Sequence, residues 1–200
     1  MENTTFINSL SIMHRLKIEN SNIIHKTLSI LKMGGIIAYP TDTIYGFGCD
    51  ALNVNAINKL NLIKQRIKPM SVLCPNIETG LSWMDIRNEE KEIAKIKLSK
   101  GNTIIVPVKN NIVSKLIMGD NNSLGIRIPN HIFCKKISEK YLNPITTTSV
   151  NRTGTKPHIN PNNIEKEFKN ELNLLIDDGI ITGRGSNIYQ YKYKKWVKVR

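Results

Sequence analysis

"GGIIAYPTDTIYGFGCDA", residues 34–51, carries a short apolar run into a proline, then sets Thr41, Asp42, Thr43 and Tyr45 in a row before two spaced glycines. Ile36 to Tyr39 read as a buried strand. Pro40 has no N–H to give to a ladder and ends it. Just upstream, "SNIIHKTLSILKM" (21–33) puts Ile24, Leu28 and Leu31 on one helical stripe, with Gly34 and Gly35 as the stop. A helix feeding a strand that delivers hydroxyls and an acid to its end reads as the first unit of an α/β protein.

The alternation continues downstream. "VNAINKLNLIK" (54–64) returns to helical spacing through Val54, Ile57, Leu60 and Ile63, with Asn53 as its N-cap. Strands are expected at 70–74, 103–108, 123–129 and 145–149, and helices at 88–99, near 131–141 and near 162–170. The strands "NLLIDD" (173–178), "SNIYQY" (186–191) and "KWVKVR" (195–200) close the chain. Because no long helix separates these three, that part of the sheet is expected to be antiparallel. The prediction is an α/β fold in which one twisted mixed sheet is flanked by helices, a single domain over residues 1–200.

Composition narrows the function classes. Hydrophobic residues make up 40% and charged residues 22% of the 200 residues, ordinary for a globular domain. No apolar run approaches the roughly 20 residues that span a bilayer. The N-terminal stretch is amphipathic and lacks a secretory apolar core, so the expectation is a cytoplasmic protein with no membrane association. Cys49, Cys74 and Cys134 are scattered and form no CxxC pair, and the four histidines show no metal spacing, so no metal site is expected. The net charge of +13 points to polyanionic partners, nucleotide phosphates or RNA. Part of it reflects a chain crowded with Asn, Ile and Lys.

Residues two apart on a strand share a face. Ser123, Gly125 and Arg127 therefore present a hydroxyl, an open space and a guanidinium, opposite apolar Leu124, Ile126 and Ile128. Thr147, Ser149 and Asn151 form a second such set, and Thr41, Thr43 and Tyr45 a third. Three strand ends carrying small hydrogen-bonding groups look like the lining of a polar pocket. "IKQRIKPM" (63–70) supplies charge. Lys64 and Arg66 act together only if the helix ends between them, and Pro69 biases Lys68 toward an extended backbone. Lys64, Arg66 and Lys68 at a helix-to-strand turn suit a triphosphate. There is no GxxxxGK[ST] loop, no GxGxxG after a strand and no GxSxG elbow, and "GRGS" (183–186) is followed by no helix.

In order along the chain, these pieces resemble the YrdC/Sua5 family of L-threonylcarbamoyladenylate synthases. "YPTDTIYGFGCDA" is similar to the family's opening strand and turn. Lys64-Gln65-Arg66 resembles its KxR motif, and Ser149-Val150-Asn151 its SxN motif. "GIRIPNH" (125–131) resembles its GVRxPxH segment, "SKGNTIIV" (99–106) its PGPxT strand, and "IDDG" with "GRGSN" its late segments. The length resembles the short, single-domain form. Cys74 stands where many members carry a histidine, and Asn187 where a threonine is usual.

The resemblance implies a fold, YrdC-like, and a reaction. Threonine, bicarbonate and ATP would give threonylcarbamoyl-AMP and pyrophosphate, with Mg²⁺ carried on the ATP phosphates. The product would serve N6-threonylcarbamoyladenosine (t6A) modification of ANN-decoding tRNAs through a separate transferase complex. It also implies roles: Lys64, Arg66, Lys68, Ser123, Ser149, Asn151 and Arg200 for ATP, and Thr41, Thr43, Arg127, Thr147 and Ser186 for threonine. Lys64, Arg66, Ser149 and Asn151 would be the catalytic set, and Arg127 would pair the threonine carboxylate. The alternative is a double-stranded RNA-binding or ribosome-assembly module without synthase activity. Carbamoyl-adenylate chemistry of the hydrogenase-maturation type belongs to much larger chains with zinc-finger cysteines, which this sequence lacks. Arg127 has a competing role as a structural ion-pair partner of Asp177 or Asp178.

Overall fold

The protein is seen as a computed structural model that describes residues 13–66 and 69–200. In chain order its elements are β1 (His14–Lys17), α1 (Ile23–Lys32), β2 (Ile37–Tyr39), β3 (Gly46–Gly48), α2 (Val54–Lys64), β4 (Ser71–Leu73), α3 (Ile77–Trp83) and α4 (Asn88–Ser99). They continue with β5 (Thr103–Pro107), β6 (Ser123–Arg127), α5 (Ile132–Lys140), β7 (Ile145–Ser149), α6 (Pro161–Phe168), β8 (Leu174–Asp177), β9 (Ile188–Lys192) and β10 (Lys195–Lys198). The strands join in one mixed sheet of order β1-β8-β2-β3-β7-β4-β6-β5-β9-β10. Among the described residues, no helix is long and apolar enough to cross a membrane.

The strands alternate between two cores. Ala38, Phe47, Val72, Ile104, Ile126 and Leu175 point to the face covered by α2, α4 and α6, where they meet Ile57, Leu60, Leu98 and Phe168. Ile37, Tyr39, Leu73, Ile145, Leu174 and Ile176 point the other way, onto Ile30 and Leu31 of α1 and Phe133 and Ile137 of α5. The first face is covered across the middle of the sheet. The second is covered only toward one end, and the remainder forms a concave floor. This asymmetry positions the candidate site.

Several local readings hold. α2 spans the expected residues, and Asn53 caps it by accepting from Ala56 N–H. Others need correction. The core-facing stripe of α1 is wider than expected: Ile24, Leu28 and Leu31 pack on the core, but the most buried residues are Ile23, Thr27, Ile30 and Leu31. The last three strands are not one antiparallel unit. β8 runs parallel to both β1 and β2 at one side of the sheet, β9 runs parallel to β5 at the other, and only β9 and β10 pair antiparallel. The helix-free segment from Asp178 to Asn187 crosses between them, doing what a βαβ helix would otherwise do. β1, β3 and α3 were not expected at all.

Candidate active site

The floor follows from register. Thr147 of β7 lies opposite Ser71 of β4, which lies opposite Gly125 of β6, which lies opposite Ile105 of β5. Directly paired residues share a face, so these and their neighbours two residues away, Ser149, Arg127 and Thr103, all point into the uncovered concavity. The space expected at Gly125 is filled: a Cβ there would lie 2.1 Å from Ser71 Oγ. The polar row is dense, and the glycine is what lets it close.

Over this floor lies a cavity of about 340 Å³ lined by Thr41, Thr43, Arg66, Arg127, Thr147, Ser149, Ser186 and Arg200 of the expected set. Three arginines line it, and among the described residues no Asp or Glu side chain does. Ser71, Thr103 and Thr148 also line it. Sequence reading missed Ser71 and Thr103 because their inward direction is set by pairing with distant strands, and Thr148 because it sits on the opposite face, paired with Phe47, and meets the cavity beside Arg66. Ser123 lies instead in an adjoining hollow of about 810 Å³, which shares Pro69, Met70, Ser71 and Ile105 with the first. Lys68 lies outside the described residues.

Lys64 and Asn151 stand behind the wall. The Lys64 ammonium, on a side chain with only 2% of the residue exposed, donates to Ser149 C=O at 2.6 Å and to Asn151 Oδ1 at 2.7 Å. Ser149 Oγ donates to the same Oδ1, while Asn151 Nδ2 donates to the carbonyls of Arg152 and Thr155. The Asn151 amide oxygen thus holds Lys64 and Ser149, while its nitrogen holds the chain that follows. No ion pair joins Lys64 to a carboxylate among the described residues. Burial, and then the nearby Arg66 charge, pull its pKa down to about 7. The helix does end between the two cations: Gln65 adopts the left-handed conformation at φ 54°, which turns Arg66 back toward the cavity. Arg66 reaches Thr148 Oγ1 at 3.3 Å, but its buried Nε has no partner among the described residues. Burial pulls the Arg66 pKa down as well.

Thr41, Asp42, Thr43 and Ile44 form a bend rather than a continuing strand, so strand alternation is not what brings the threonines together. The Thr41 hydroxyl is spent inside the bend, donating to Ile44 C=O at 2.7 Å and accepting from Thr43 N–H. Thr43 Oγ1 sits 3.0 Å from it, at the cavity edge. Tyr45 Oη donates to Gly179 C=O and accepts from Asp178 N–H.

Arg127 has an acidic partner, but a different one from those expected. Its Nη2 pairs with Asp42 at 2.7 Å, Nε donates to Gly101 C=O and Nη1 to Thr41 Oγ1. Asp177 is bound instead by Arg15 and Lys17, and Asp178 by His131. A guanidinium has five N–H groups, so among the described residues two remain without a partner, one on each terminal nitrogen.

The segment 178–187 covers the site from the open side. Ser186 Oγ lies 2.7 Å from Thr103 Oγ1, and Arg200 Nε donates to Ser186 C=O. The Arg200 pKa is lowered by burial and by Arg127. Gly183 is pressed on the bend: a Cβ there would lie 2.1 Å from Thr43 C=O. Among the described residues, no group of three or more His, Cys, Asp or Glu gathers to hold a metal.

A family model, Sua5_yciO_yrdC, described as "Telomere recombination", matches residues 29–200. A protein of Psychromonas ingrahamii named threonylcarbamoyl-AMP synthase is 34% identical over 161 residues, covering 77% of this chain and 84% of that protein. E. coli YciO has the same fold, with a TM-score of 0.84 at 20% identity over 95% of each chain. So does P. abyssi Sua5 complexed with L-threonine, with a TM-score of 0.83 at 23% identity over 94% of this chain. The chain spans 57% of that Sua5.

Proposed function

The chain belongs to the Sua5/YciO/YrdC family, and from that premise we propose that it is a threonylcarbamoyl-AMP synthase acting on L-threonine, bicarbonate and ATP. The observation that carries this reading is the cavity lined by three arginines and several hydroxyls, with no Asp or Glu side chain among the described residues, and with the Lys64 ammonium buried behind Ser149. Such a site has charge to give to anions and no nucleophile–base pair of its own. The proposed reaction needs that division of labour. The threonine amine attacks carbon dioxide, which bicarbonate yields with loss of water, and gives up a proton to solvent to leave a carbamate. The carbamate oxygen then attacks the α-phosphorus, and pyrophosphate leaves. The protein supplies alignment and charge neutralisation.

In this reading the two free N–H groups of Arg127 hold the threonine carboxylate, and Thr43, Thr147 and Ser186 surround its hydroxyl and amine. Thr41 shapes the bend that presents Thr43. Arg66, Ser149 and Arg200 meet the ATP phosphates. Lys64 adds positive charge from behind, with Asn151 fixing it. Ser123 serves the part of the nucleotide that extends into the adjoining hollow. Magnesium arrives on the ATP phosphates as part of the substrate. The product would pass to a separate transferase complex for t6A formation on tRNA, and the excess of lysine and arginine suits direct contact with that RNA. The setting would be the cytoplasm.

Threonine and valine are near-isosteric, so shape separates them weakly. A pocket of hydroxyls built to pair the threonine hydroxyl leaves buried polar groups unpaired against valine, and discrimination of about 10⁴ is the scale such sites reach. Pyrophosphate release should require threonine and bicarbonate together. Comparable kcat/KM for valine and threonine would overturn the assignment of the pocket, and release that ignores bicarbonate would overturn the reaction.

A further inference from the structure

An α-helix leaves its last four carbonyls without intrahelical donors. At α2 each of the four has a partner. Gln65 N–H donates to Leu62 C=O and Arg66 N–H to Asn61 C=O, the backbone closure that a left-handed residue makes available. The last two carbonyls are taken by residues from far along the chain. Arg152 Nη1 donates to Ile63 C=O, and Thr153 donates twice to Lys64 C=O, from N–H at 3.0 Å and from Oγ1 at 2.8 Å.

Lys64 is therefore gripped at both ends by one segment. Ser149 and Asn151 accept from its ammonium, and Thr153 donates to its carbonyl. The segment itself is anchored away from the cavity. Arg152 pairs with Glu171 and Glu167 and stacks on the Phe168 ring at 4.7 Å. A guanidinium at a helix C-terminus also suits the negative end of the helix dipole. Neither Arg152 nor Thr153 lines either hollow of the site.

We propose that Arg152 and Thr153 are positioning residues, which set how far the Lys64 ammonium reaches toward Ser149 and hence toward the bound nucleotide. The Thr153 hydroxyl fixes the Lys64 main chain, and the Arg152 fork fixes the preceding turn against α6. Shifts of about 1 Å in such a group cost up to about a hundredfold in rate. The inference rests on the reading of Lys64 as a phosphate-facing charge.

The test uses the full chain and four variants: Thr153→Val, Thr153→Ser, Lys64→Ala and the double variant Lys64→Ala with Thr153→Val. Valine keeps the size of threonine and the main-chain N–H while removing the hydroxyl donor. MgATP affinity is read by calorimetry, which needs no turnover. KM values for ATP and threonine are read from pyrophosphate release. The expected result is a loss of about fivefold in ATP affinity for Thr153→Val, the scale of one hydrogen bond, with threonine KM unchanged and Thr153→Ser restoring the parent value. The double variant should bind MgATP no worse than Lys64→Ala alone, because Thr153 acts through Lys64. Losses that multiply in the double variant, or a lowered melting temperature with unaltered ATP affinity, would overturn the proposal. A parent chain that releases no pyrophosphate with all three substrates would instead sink the synthase reading, while the MgATP titrations would still decide the positioning role.

Discussion

Lys64 is a buried cation without a carboxylate partner among the described residues, and such a group is costly unless something else requires it. Its two acceptors are a carbonyl and an amide oxygen, which satisfy donors but cancel no charge. An unliganded fold gains little from it; a triphosphate gains a great deal. Lys64→Met should therefore lower synthase activity by more than about tenfold while the protein melts no lower than the parent. A marked fall in melting temperature would identify the lysine as a structural donor. The pKa of about 7 adds a pH signature. The free protein loses this proton as pH rises through that value, and an anion favours the charged form. MgATP binding near about pH 8 should take up a proton, and near about pH 6 should not. Calorimetry in buffers of different ionisation heat reads the uptake directly. The stability sign follows from the same shift. Between about pH 7 and the ordinary lysine value of 10.5 the unfolded chain binds the proton and the folded one does not, so stability rises with pH across that window. Lys64→Met should flatten that rise. At Arg127 the decisive property is shape. Arg127→Lys keeps the charge but loses the fork and the hold on Asp42, and should raise the threonine KM with ATP binding little changed. A lower melting temperature with an unaltered threonine KM would make Arg127 a structural partner of Asp42 alone.

The elements explain why these residues meet. A three-residue strand, a bend and a second three-residue strand turn the chain so that Thr43 faces Arg127, and the segment 178–187 is pinned over them by the Tyr45 hydroxyl and by contact at Gly183. Gly183→Ala would force a methyl group into Thr43 C=O, and the segment would have to lift. The expected outcome is a raised threonine KM and activity down by roughly tenfold or more, with a smaller effect on the melting temperature, because Ile181 is the one hydrophobic residue of the segment that packs against a core. Unchanged kinetics would mean the segment is not part of the site. Much at this scale was legible beforehand: α2 and its Asn53 cap, the helix at 88–99, and the strands carrying Arg127 and Ser149 follow from capping and periodicity. β1 and β3 were not, because strands of three or four residues give too few alternations to stand out, and the two glycines of β3 read as a turn. Thr41 lines the cavity as expected, but its hydroxyl bonds within the bend. That difference depends on backbone angles that no residue pattern specifies.

For the molecule as a whole, the sheet order is what the sequence concealed. β8 and β9 are separated by ten residues of irregular chain yet stand at opposite sides of the sheet, and that crossing brings Ser186 and Arg200 over the floor. Position along the chain carries no trace of it, because register between distant strands is set by packing. Family membership filled this gap for function: the ordered motifs pointed to one site before any geometry was known. The central claim is a single active site that joins three small molecules. Its most direct test is to incubate the protein with MgATP, L-threonine and carbon-labelled bicarbonate, and to separate the products by chromatography. The account predicts label in an adenylate that also contains threonine, formed with equimolar pyrophosphate and absent when any one substrate is omitted. Label that never enters an adenylate, or ATP cleaved without threonine, would contradict it.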